Sequence, residues 1–238
     1  MSSPILVGVD PARSSGEQVA LGCVLARAYA APLLLVSVYL IHPMTRRLVR
    51  KVAHDEAEAA LQVALDRVDD VEVAVRSVGA ESPAAGLYDV AVDTEARMLT
   101  VGSTHHGPVG RVVLGEVTDN LVNGAPCAVA VAPLDVEVRA LRRVGAAFED
   151  SAEGHAALQE AIAVAAGTDA RIEVWTVVSE GDDAEERKRL AEAALTEALA
   201  RAGADADLRV EEATRWLSWR GPQQTLMLSS AARAATDR

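Results

Sequence analysis

In the first half of this chain, short apolar runs alternate with amphipathic helical segments, and that alternation constrains the fold more than any other feature. Pro4 to Val9, Leu33 to Leu40, Met98 to Val101 and Cys127 to Ala132 are nearly unbroken in Val, Leu, Ile and Ala, and Val71 to Val78 alternates apolar with polar. Each reads as a strand. Ser14 or Ser15 is placed to cap a helix that carries Val19, Leu21, Cys23, Val24, Leu25 and Tyr29 toward a core. His54 to Val68 is helical, Ser82-Pro83 starts a helix that runs to about Ala96, and Gly115 to Asn123 forms a short one ended by Gly124. Strands that alternate with helices imply parallel β-α-β units wound on both sides of one sheet. The continuous apolar strands agree, because parallel strands are covered on both faces. The predicted fold class is therefore α/β, with a doubly wound parallel sheet.

The pattern then restarts. Arg142 to Ala147, Arg171 to Val178 and Leu208 to Glu212 read as strands, separated by helices over Ser151 to Ala166 and Asp182 to Ala202. The order is that of the first half, so the chain contains a tandem repeat joined near Pro133 to Ala140. The expected domains are 1–135 and 140–238.

Composition narrows the function. The 238 residues carry a formal charge of −12, which argues against a general nucleic-acid binder. No apolar run has membrane-spanning length, and the N-terminus lacks a signal-peptide layout. Two cysteines, Cys23 and Cys127, are too few for a disulfide framework, so both read as small core residues in a cytoplasmic protein. Arg46, Arg47, Arg50 and Lys51 read as a solvated face. His105 and His106 are adjacent and have no third ligand near them in sequence, so no metal site is expected. No nucleophile, base and orienting group assemble, and no enzyme is expected.

The segment that carries chemistry runs from Val101 through Gly102, Ser103, His105, Gly107 and Gly110 to Gly115, Glu116, Val117 and Thr118. It leaves the carboxyl end of a strand and enters a helix N-terminus, the place where doubly wound sheets bind ligands. Backbone N–H groups and the helix dipole there favour phosphates. Walker A and strand-linked G-x-G-x-x-G patterns are absent.

With a first strand that ends in Asp10, a Val-Gly-Ser loop and Ala125-Pro126-Cys127 before the last strand, the first half resembles the universal stress protein family. That resemblance implies a five-stranded sheet of order 3-2-1-4-5, often present in tandem, and ATP binding in some members. The family's nucleotide motif is Gly, two residues, Gly, nine residues, Gly, then Ser or Thr. Gly102 and Gly115 match its first and third glycines. His105 stands at the second glycine and Glu116 at the Ser/Thr. Histidine resists the close approach and positive φ that glycine permits, and a carboxylate ~4 Å from a phosphate costs roughly 1–4 kcal/mol. Glu116 alternatively serves its own helix dipole. The resemblance assigns Asp10 to the adenosine moiety and Val38 to the adenine pocket, while a structural alternative makes Asp10 a helix-capping carboxylate. The expected function is an adenine-nucleotide-responsive regulatory module with a degenerate phosphate loop. The alternative is a dimerising scaffold that has lost ATP binding.

The tail departs from the pattern. Residues 213–238 hold four Arg and one Asp, whereas residues 1–212 sum to −15. Where the family pattern leads one to expect Gly-Asp-Pro, a helix and a second glycine loop, the chain reads Ala213-Thr214-Arg215-Trp216-Leu217-Ser218-Trp219. Restoring one G after the Glu212 codon, with mostly G- or C-ending codons, gives G-D-P-V-A-V-L-A-R-A-A-A-D-A-D-A-V-V-G-G-S. That text matches the missing elements, so a frameshifted second domain is expected, without its fourth and fifth strands. Cys127 to Ala132 would then lack the edge partner found in tandem relatives. A homodimer through that strand is expected, unless Trp216, Leu217 and Trp219 anchor a covering helix.

Overall fold

The computed structural model describes residues 2–13, 15–41, 47–103, 105–106, 112–113, 115–136, 138–178, 183–212 and 225–228. Its contacts divide the chain into two compact units, Met1–Arg139 and Ala140–Arg238.

The first unit runs β1 (Ile5–Val9), α1 (Gly16–Ala28), β2 (Leu33–Leu40), α2 (Arg47–Leu65), β3 (Val73–Ala80), α3 (Pro83–Asp93) and β4 (Met98–Gly102). Two-residue strands β5 (His105–His106) and β6 (Val112–Val113), α4 (Glu116–Gly124) and β7 (Ala128–Ala132) complete it. The main sheet has the order β3-β2-β1-β4-β7, and every neighbouring pair is parallel. This is the 3-2-1-4-5 order that the resemblance implies. Alternate residues of β1 serve two cores. Leu6 joins Val36, Val38, Leu87, Val90, Leu99, Val101 and Leu121 on the face of α3 and α4. Val7 meets α1 on the other face, where a Cβ added at Gly22 would lie 2.4 Å from Val7 Cγ2. The missing side chain at Gly22 is what lets α1 sit this close to the sheet.

Helix boundaries follow local chemistry. Ser82 caps α3, its Oγ accepting the Ala85 N–H at 3.2 Å, with Pro83 in the first turn as expected. Helix α2 starts at Arg47, well before His54. Its first turns carry exposed Leu48, Val49 and Val52, so they give no core-facing periodicity to read. Tyr29 lies just past α1 as its C-cap, half-buried, under the Arg97 guanidinium at 4.0 Å. Cys127 precedes β7, which begins at Ala128.

The second unit comprises β8 (Arg143–Ala147), α5 (Ala152–Thr168), β9 (Arg171–Val178), α6 (Ala184–Ala202), β10 (Asp207–Glu212) and β11 (Thr225–Leu228). Its parallel sheet has the order β10-β9-β8-β11, the same succession as the first four positions of the larger sheet. This corrects the expectation of a missing fourth strand. Thr225 to Leu228 pairs in parallel with Arg143 to Ala146, its three apolar residues following Thr225 along the edge of β8. Trp216, Leu217 and Trp219 lie outside the described residues. Among the described residues, no helix is long and apolar enough to cross a membrane.

Candidate functional site

In the larger sheet, β1 and β4 lie side by side although the chain leaves β1 toward β2 on its other flank. The carboxyl ends of these two strands therefore form the topological switch point, the crevice where open α/β sheets bind ligands. Asp10 follows β1 there, Gly102 ends β4 and Ser103 follows it.

Asp10 is exposed, and its Oδ1 accepts the Ala12 N–H at 2.8 Å. Its own N–H donates to Ser15 Oγ at 3.0 Å. The carboxylate thus closes a turn and does not cap α1. Ser15 occupies the N-cap position of α1, but its hydroxyl is engaged by Asp10 and makes no capping bond. Ser14 lies outside the described residues.

The hydroxyls expected to face a ligand are bonded to the protein's own backbone. Thr118, 2% exposed, donates its Oγ1–H to the Gly102 carbonyl at 3.0 Å. Ser103, also buried, donates its N–H to the Ala132 carbonyl at 2.9 Å, and its Oγ accepts the Leu134 N–H at 2.9 Å. Together they tie the end of β4 to α4 and to the segment after β7. Val38 is buried among core side chains on the α3/α4 face, and Val117 packs against the same cluster.

Gly115 is the N-cap of α4, in extended conformation and without a side chain to bond the helix's first N–H groups. Glu116 is the first helical residue, exposed, with Asp119 as a second acid in that turn. Both carboxylates complement the positive end of the helix dipole. The expected loop between β4 and α4 contains a short hairpin. His105 and His106 pair antiparallel with Val113 and Val112, so backbone there engages in a ladder. Gly107 and Gly110 lie outside the described residues.

Two residues that the sequence reading passed over belong to this mouth. Gln18 is buried, donates its Nε2–H to the Gly8 carbonyl at 3.3 Å, and places Oε1 3.0 Å from where a Cβ at Gly102 would stand. Glu17 Oε1 accepts the Asp135 N–H at 3.1 Å. The available signal was a pair of polar residues directly before Val19 on a helix that faces the strand ends.

These features test the fit of an adenine nucleotide. Where the resemblance would put a nucleoside, Asp10 offers an exposed carboxylate, and where it would put phosphates, the N-terminus of α4 offers a positive helix end. The family's phosphate motif is departed from at two places: a paired backbone at His105 and a carboxylate at Glu116.

Comparison with known proteins agrees with this architecture. Residues 1–133 match the sequence profile of the universal stress protein family. Universal stress proteins of Mycobacterium tuberculosis and Mycobacterium bovis are 37% identical over 65 residues, 27% of this chain. That match spans only 22% of those relatives' length. A universal stress protein from Archaeoglobus fulgidus has the same fold, with a TM-score of 0.69 and 15% identity over 90% of this chain and 80% of that one. A universal stress protein solved in complex with cAMP is similar at 25% identity and a TM-score of 0.44, over 55% of this chain and 96% of that one. With the profile spanning more than half of the chain and the sheet in the order 3-2-1-4-5, the chain belongs to the universal stress protein family.

Proposed function

We propose that the first unit is a regulatory module that responds to adenine nucleotide, binding it weakly at the switch point and turning nothing over. The observation that supports this most is the meeting of three features at one crevice. These are the exposed Asp10 carboxylate after β1, the glycine end of β4 at Gly102, and the side-chain-free N-cap of α4 at Gly115. Asp10 would receive hydroxyl donors of a ribose, while the first N–H groups of α4 face the phosphates. Weakness follows from Glu116, whose charge opposes a phosphate by roughly 1–4 kcal/mol at ~4 Å, and from the backbone pairing at His105. Two free cysteines suit a reducing, cytoplasmic setting.

A second reading has its own support. Ser103 and Thr118 are buried and bonded to backbone, which favours a scaffold that kept the fold and lost phosphate binding. Under either reading we propose a homodimer through β7, because among the described residues this apolar strand pairs only with β4 and leaves an edge open.

Titration calorimetry with ATP and Mg²⁺, on wild type and Glu116→Ser, separates the readings. Measurable wild-type binding supports the regulatory module. Binding that appears only in Glu116→Ser supports the scaffold.

A further inference from the structure

Away from the switch point, one face of α1 presents Gly16, Ala20, Cys23 and Arg27 at helical spacing. The first three are small, so the stripe is a trough. With Arg67 and Asp69 after α2, and Val138 and Arg139 at the end of the unit, it lines a cleft of ≈ 350 Å³. Pockets of this size lie at the lower end of those that enclose small molecules. In a chain of net charge −12, three guanidiniums line this one cleft together with a single carboxylate.

We infer that this cleft is a second ligand site, for a sugar phosphate or closely similar hydroxylated phosphomonoester, held through Arg27, Arg67 and Arg139. A phosphomonoester carries close to two negative charges at neutral pH and offers three acceptor oxygens. The planar fork of arginine matches such a group with paired N–H donors. Arg27 is already oriented, since its Nη1 donates to the Asp69 carbonyl at 3.4 Å, and this uses one of its five N–H donors. The carboxylate of Asp69 is acceptor-only and suits ligand hydroxyls. The trough over Ala20 and Cys23 gives the carbon skeleton its space. This site is independent of the nucleotide reading, because none of its lining residues belongs to the switch point.

The test is calorimetry with ribose 5-phosphate, with uncharged ribose as control, on the full chain. The expected result is saturable one-to-one binding of ribose 5-phosphate and none of ribose. Arg27→Gln should weaken it by about tenfold or more through loss of charge-assisted bonds. Ala20→Leu should weaken it by filling the trough, while Glu116→Ser leaves it unchanged. Arg27 is exposed, so its variant keeps the fold, and thermal melting followed by circular dichroism verifies this for both variants. The inference is overturned by absence of saturable binding to wild type, or by equal affinity in wild type and Arg27→Gln. It is also overturned if Glu116→Ser alters binding and Arg27→Gln does not, which would put the phosphate at the switch point.

Discussion

Thr118 and Ser103 show how a residue can match a binding motif and still act for the fold. The Thr118 hydroxyl is buried against the Gly102 carbonyl, so Thr118→Val removes a buried donor to that carbonyl. The expected cost is about 1–3 kcal/mol in urea unfolding, and Thr118→Ser should retain most of the stability. No pattern of residue types reveals where a hydroxyl points, which is why these two read as ligand groups in the sequence. Cys127 carries a second prediction at this scale. Burial pushes its thiol from 9.0 up to about 11, with a backbone hydrogen bond at Leu99 partly offsetting. Between those values the unfolded chain releases the proton and the folded one keeps it. Stability therefore holds below pH 9 and falls as pH rises toward 11. In Cys127→Ala that part of the alkaline loss should vanish, as pH-dependent melting will show.

Among the elements, the strands were legible because burial on both faces leaves continuous apolar runs, as in β1, β2 and β4. Helix α3 was legible from its Ser-Pro start, and Ser82→Ala should cost it about 1 kcal/mol in denaturant unfolding. The start of α2 was not legible, because exposed side chains there erase the helical period. The hairpin of β5 and β6 was hidden for a simpler reason: two residues have no period. Packing of α1 on β1 rests on Gly22. Alanine favours helix by about 1 kcal/mol, yet its Cβ would overlap Val7. Gly22→Ala should therefore destabilise, by about 1–3 kcal/mol as overpacking does. A gain in the melting temperature of that variant would contradict the packing.

For the whole molecule, the charge asymmetry marked residue 212 as a change of text, and the succession of strands in the second unit followed from its repeat pattern. The fourth strand did not, because Thr225 to Leu228 sits in a tail whose composition breaks with the rest. DNA sequence across codons 212 to 214 tests the frameshift account; an intact run there with no longer competing frame contradicts it. The open edge of β7 predicts a dimer by light scattering, and a monodisperse monomer would argue against it. The central claim concerns the crevice between β1 and β4, and calorimetry with ATP and Mg²⁺ tests it most directly. The account predicts weak but saturable binding to wild type, at least about tenfold tighter in Glu116→Ser, where the opposing charge is gone. Absence of binding in both proteins, or equal affinity in the two, would contradict it.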